Sequence, residues 1–130
     1  MTRFTLSKQE RLSSLKEIEL LFAEGKSIVK YPFRLVWREI SDPEHPPVQV
    51  MFSVSKKRFS KAVDRNRVKR LMRESYRLLK PGFYQALPQP KFIHIGLVYT
   101  GKEILDLETI QKSMAKALER LITQLSSEDK

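Results

Sequence analysis

From Val48 to Ser55 the sequence alternates without a break. Val48, Val50, Phe52 and Val54 fall on one side of an extended chain, and Gln49, Met51, Ser53 and Ser55 fall on the other. That is the pattern of a strand with one buried face. The segment that follows has the other period. Val68, Leu71, Met72, Leu78 and Leu79 make an apolar stripe at helical spacing. Lys61, Arg65, Lys69, Arg73 and Arg77 recur every four residues and form one slowly winding row, with Asn66 and Arg70 beside it. A one-faced strand running into a one-striped helix constrains the chain to a layered structure with helices lying on a sheet.

The remaining elements follow from the same two periods. Ser14, Leu15, Lys16 and Glu17 have capping-box spacing; Leu15, Ile18, Leu21 and Phe22 share one helix face, and Gly25 is the stop. Residues 27–40 read as extended, with Pro32 dividing a short strand from a longer one, Phe33 to Ile40. Residues 41–47 are a proline-rich turn. Ser60 is the expected cap of the basic helix, Asp64 lies near its positive end, and Pro81 and Gly82 terminate it, leaving Phe83 to Pro90 as a connector. Phe92 to Tyr99, apolar on both sides apart from His94, suits an interior strand. A last helix spans about Leu107 to Leu125. A polar, flexible N-terminus and a tail frayed after about residue 125 complete one domain over residues 1–130. The order is α-β-β-β-α-β-α, an α+β fold with helices on a small mixed four-stranded sheet.

Between Lys56 and Lys80 eleven Lys and Arg meet only Asp64 and Glu74, so nine of the ten net positive charges lie in twenty-five residues. Like charges at four-residue spacing cost an isolated helix roughly 0.2 to 0.5 kcal/mol per pair. The row therefore answers to something outside the helix, and a nucleic-acid backbone is the polymeric counter-charge. A merely solubilising face would mix signs, and this row contains no acid. Arginine offers a planar fork to phosphate, lysine a compact charge, and asparagine both a donor and an acceptor for a base edge or ribose hydroxyl. Ala62, on the same face, lets a backbone come close. An uninterrupted phosphate-seeking row reads no base sequence, which argues against sequence-specific DNA binding. The helix's apolar side is needed against the strands, which argues against a membrane surface, and no apolar run is long enough to span a bilayer. The absence of cysteine excludes disulfides and thiolate chemistry, and the first residues lack a signal-peptide core. Cytoplasmic location is the expectation.

Catalytic patterns do not emerge. His45 sits in the proline-rich turn and His94 in a strand, neither with a partner nearby in sequence. No metal-ligand pair, glycine-rich phosphate loop or nucleophile elbow occurs. Binding chemistry without a catalytic constellation is the expectation.

The segment Ser55-Lys-Lys-Arg-Phe-Ser-Lys-Ala-Val-Asp-Arg-Asn-Arg-Val-Lys-Arg-Leu-Met-Arg-Glu74 closely resembles the signature of the bacterial ribonuclease P protein family. The shared elements are Lys56 and Lys57 ending a strand, Ala62 one turn into a helix, then Arg65-Asn66-Arg67, Lys69-Arg70 and Arg73-Glu74. The element order and the Leu21, Phe22 and Gly25 end of the first helix also match. The resemblance implies a ribosomal protein S5 domain 2-like fold and a protein subunit that assists a catalytic RNA in removing the 5′ leader from precursor tRNA. It implies that Mg²⁺ is held mainly by the RNA, that the active site is there, and that the protein alone is inactive. By position, Lys56, Lys57, Lys61, Arg65, Asn66, Arg67, Lys69, Arg70, Arg73 and Arg77 are the expected RNA contacts. A cleft between the first helix, the sheet and the basic helix is expected to take the single-stranded leader, with Phe22, Val36, Trp37 and Tyr99 at its walls. Ile18 and Val36 stand where the family often has aromatics, and Trp37 or Tyr99 are the residues available to compensate. The competing reading is a ribosomal or other structural RNA-binding protein, which would have no effect on leader removal.

Overall fold

The computed structural model describes residues 8–41, 47–88 and 92–128, so His45 and most of the proline-rich turn lie outside the described residues, as do residues 1–7 and 129–130. Helix α1 (Leu15–Glu24) begins where the capping box predicts, with Ser14 Oγ accepting from the Glu17 amide at 3.3 Å. Strands β1 (Lys26–Lys30) and β2 (Phe33–Ile40) flank Pro32. Strand β3 (Val48–Val54) precedes the basic helix α2 (Ala62–Ala86), and β4 (Phe92–Tyr99) precedes α3 (Leu107–Glu128).

The sheet order is β1-β2-β4-β3. Strand β4 pairs antiparallel with β2 and parallel with β3, and α2 makes the crossover between the parallel strands. Strand parity sorts the side chains into two layers. On one face Phe33, Leu35 and Trp37 join Ile93, Ile95, Leu97 and Tyr99 beneath α2 (Val68, Met72, Tyr76, Phe83) and α3 (Ile110, Met114, Leu118, Leu121). On the other face a smaller cluster of Leu12, Leu21 and Val36, with Ile18 and Met51 packed against it, seats α1.

Three boundaries differ from the sequence expectation. The α2 N-cap is Lys61, without a side-chain cap bond, and Ser60 does not cap. Arg65 Nη1 instead gathers the Phe59 and Ser60 carbonyls, both at 2.9 Å, and fastens the approach loop to the first turn. Second, α2 runs through Pro81 and Gly82 to Ala86, absorbing part of the expected connector. A proline inside a helix costs about 3 kcal/mol, and burying a phenylalanine returns roughly 1.5 to 3 kcal/mol. Phe83 is buried against Tyr76, and Tyr84 donates to Glu10 Oε2 at 2.6 Å, so two anchors just beyond the proline offset its cost. Third, α3 continues past Leu125 to Glu128. Its start is set by Asp106, whose Oδ1 accepts from the Thr109 amide at 2.9 Å.

Helix α2 also buries a different stripe from the one expected. Ser75 and Tyr76 are buried, while Leu78 is exposed. Leu78 lies a quarter-turn outside the arc set by Val68, Met72 and Tyr76.

Candidate RNA-binding face and groove

With the Val68, Met72 and Tyr76 side of α2 turned into the core, Lys61, Ala62, Asn66, Arg67, Arg70 and Arg73 are exposed on the outside. A tight turn after β3 leaves Lys56 and Lys57 exposed ahead of α2. In that turn the Lys57 amide donates to Ser55 Oγ at 3.0 Å and the Phe59 amide to the Ser55 carbonyl at 3.1 Å, while Phe59 itself is buried. The winding of the row matters. Because 3.6 residues make a turn, a four-residue repeat drifts around the helix, so Arg65 and Lys69 are half-buried near the core border while Arg73 is exposed. Arg65 is partly committed to the Phe59 and Ser60 carbonyls through Nη1, and the rest of its five-donor fork remains for a ligand.

Arg77 differs from the rest of the row. Its Nε lies 3.1 Å from Glu74 Oε2 and its Nη2 bonds Glu74 Oε1. These bonds hold the Glu74 carboxyl below the usual carboxylate range. Arg77 is thus a helix-surface ion pair.

The four expected cleft residues are not brought together. Val36 is buried under α1, at 1% exposure. Trp37 and Tyr99 lie on the opposite side of the sheet, inside the main core. Trp37 shares strand parity with Phe33 and Leu35, and Tyr99 shares it with Ile95 and Leu97. Tyr99 is further fixed by its hydroxyl, which donates to the Glu103 carbonyl at 2.6 Å and accepts from the Leu105 amide at 3.3 Å. Only Phe22, 38% exposed, reaches the surface. Its ring lies over Gly96, where an added Cβ would stand 3.2 Å from Phe22 Cζ, Leu21 Cδ2 and Met51 Sδ. Glycine at 96 is what lets α1 lie flat on the sheet.

The groove itself is present, with other walls. A cavity of about 360 Å³ lies between α1, the β3 edge and α2, lined by Arg11, Leu12, Ser13, Ile18, Val50, Met51, Phe52 and Arg73. Its floor is apolar and both its charged residues are arginines. Sequence reasoning missed Arg11, Met51 and Phe52. Met51 was assigned to the right strand face, and joining that face to the Ile18 face of α1 would have found it. Phe52 turns its ring toward Tyr76, 5.9 Å away between centroids, and covers the β3 edge. His94 is buried, with Nε2 2.9 Å from Gln49 Oε1 and Nδ1 3.7 Å from Glu17 Oε2, and it serves to seat α1 on the sheet. Among the described residues no group of three or more His, Asp or Glu is placed to hold a metal ion, and no helix is long and apolar enough to cross a membrane.

Fold and site together define an α+β domain in which a basic helix borders an apolar groove, the build of a nucleic-acid-binding protein. The family model described as Ribonuclease P matches residues 6–122. A ribonuclease P protein component from Porphyromonas gingivalis is 41% identical over 125 residues, covering 95% of this chain and 91% of the relative. One from Chlorobium phaeobacteroides is 34% identical, covering 90% of this chain and 88% of the relative. Among solved structures, the RNase P protein from Thermotoga maritima superposes with a TM-score of 0.68 at 28% identity, covering 85% of this chain and 96% of that one. The chain belongs to the ribonuclease P protein family, the RNA-binding subunits of the ribonucleoprotein that processes tRNA 5′ ends.

Proposed function

We propose that the chain meets RNA on two adjoining surfaces. The exposed side of α2 and the turn before it (Lys56, Lys57, Lys61, Asn66, Arg67, Lys69 and Arg70) lie against the catalytic RNA subunit, with Arg65 contributing what its fork has left. The groove takes the single-stranded 5′ leader of precursor tRNA. The observation that carries this reading is Arg73, which belongs to the basic row and also lines the groove, so the phosphate-binding face and the apolar floor are one continuous surface. On this reading the Mg²⁺ ions that support cleavage are held mainly by the RNA, the site of action is the cytoplasm, and the protein supplies binding energy and alignment. Purified protein alone leaves precursor tRNA intact. The protein with its cognate RNA subunit and Mg²⁺ at moderate salt releases a mature 5′ end. Leader removal by RNA-free protein that survives nuclease controls would overturn this division of labour.

Phe22, exposed and near Met51 of the groove lining over Gly96, is the residue for base stacking in the leader path. Phe22→Leu keeps most of the contact with Gly96 and loses the aromatic face, and stacking contributes about 1 to 3 kcal/mol per base at single-strand sites. Precursor tRNA then binds the holoenzyme about five-fold or more weakly. Mature tRNA binding is unchanged. Equal weakening of both substrates would show a packing defect in place of a lost stack.

A further inference from the structure

The groove has a second arginine wall, built by a segment the basic row does not include. Residues 8–12 cross the β3 edge as a strap. The Gln9 carbonyl accepts from Gln49 Nε2 at 2.9 Å, and the Leu12 amide donates to the Val50 carbonyl at 2.9 Å. Between them Glu10 turns to α2, where Lys80 Nζ lies 3.0 Å from Oε1 and the Tyr84 hydroxyl donates to Oε2 at 2.6 Å. Both charged side chains are nearly buried, at 13% for Glu10 and 14% for Lys80. Burial pushes Tyr84 well above the usual phenol range, so it remains a donor to Glu10. A nearly buried ion pair is weak evidence for stability; what the contacts show is Glu10 held by Lys80 and Tyr84 between two backbone attachments of the strap.

What that geometry fixes is Arg11. It bridges Val50 through its backbone, is pinned on either side, and keeps its side chain exposed. It lines the groove together with Arg73, over Ile18, Met51 and Phe52, and no carboxylate is among the lining residues. Two guanidinium groups placed at one groove repel each other unless an anion lies between them. Given the groove as the leader path, on which this inference rests, we propose that Arg11 is a further RNA-contacting residue, pre-positioned by the Glu10 strap to grip the leader phosphates jointly with Arg73. The pinned backbone reduces the ordering cost of that contact.

The test is a salt titration of holoenzyme binding to precursor tRNA and to mature tRNA, with Arg11→Ala, Arg11→Lys and Arg73→Ala. Arg11→Ala is expected to bind precursor tRNA about five-fold more weakly and to lower the magnitude of the salt slope by roughly 0.7, the share of one single-strand phosphate. Arg11→Lys keeps the slope, and mature tRNA is unaffected by either. Unchanged affinity and slope in Arg11→Ala, alongside losses in Arg73→Ala, would overturn the role of Arg11 while leaving the groove reading intact. No change in either alanine variant would remove the groove reading and Arg11 with it. Equal loss on mature tRNA would place Arg11 away from the leader and overturn the proposal.

Discussion

Alanine at position 25 is expected to lower the melting temperature by about 10 °C, while alanine at position 82 raises it. The two glycines sit in opposite surroundings. A Cβ on Gly25 would fall 2.8 Å from a Val36 methyl and 2.9 Å from the Trp37 carbonyl oxygen, and against the Leu21 carbonyl oxygen as well. Two of those neighbours are backbone atoms, which cannot turn aside. Overpacking costs roughly 1 to 3 kcal/mol where side chains can adjust, so a clash with fixed backbone falls at about 3 kcal/mol, and each kcal/mol shifts the midpoint of a domain this size by about 3 to 5 °C. Around Gly82 nothing lies within 4 Å of the added methyl. The residue is inside α2, where alanine is better than glycine by about 0.8 to 1 kcal/mol. Thermal melts of the two variants check both signs at once. A Gly25→Ala protein as stable as the parent would show that α1 can lift from the sheet without penalty.

The largest functional effect belongs to the basic face. Replacing Lys69, Arg70 and Arg73 together with alanine is expected to weaken the protein's binding to the catalytic RNA subunit and, through Arg73, to the precursor leader, by on the order of a hundredfold in all at physiological salt. The magnitude of the summed salt slope falls by about 2, at roughly 0.7 to 0.9 for each of three phosphates. The side chains carry no packing that the core needs, so the melt stays within about 0.5 kcal/mol of the parent. Arg77→Ala has a much smaller effect on affinity, because Glu74 already holds that guanidinium. Affinity and slope matching the parent in the triple variant would reduce the row to a solvated surface. A loss in Arg77→Ala equal to one third of the triple effect would show that RNA displaces Glu74.

What the sequence made legible is what depends on local period. The capping box at Ser14, the division at Pro32, the alternation of β3 and the interior character of β4 all came from neighbours in the chain, and the structure places each element there. Strand parity was equally available for the cleft. It puts Trp37 with Phe33, and Tyr99 with Leu97, on the core side, away from the α1 face of the sheet. The continuation of α2 past Pro81 was not readable, because one of the two anchors that offset the proline is Glu10, some seventy positions earlier. The same distance hid Arg11, whose place at the groove depends on a strap held by Lys80 and Tyr84. Charge spacing put Lys61 and Arg73 on one row, and both are exposed, but a period of four does not show that Arg65 and Lys69 drift toward the core border or that Glu74 faces Arg77.

The position of β4 has a consequence for how the chain is made. Synthesis delivers β1, β2, β3 and α2 first, yet β2 and β3 never pair with each other, and the strand that joins them is the last of the four. Until residue 99 has emerged, β3 has no partner strand for its parallel ladder and α2 lacks the β4 floor on which it packs. A nascent chain stopped before Phe92 therefore carries two open strand edges and an exposed apolar helix face, the features that draw aggregation and chaperones. Folding is gated by the arrival of a single eight-residue strand, and truncations upstream of it are expected to be insoluble while those that remove only residues after the buried Leu125 fold normally.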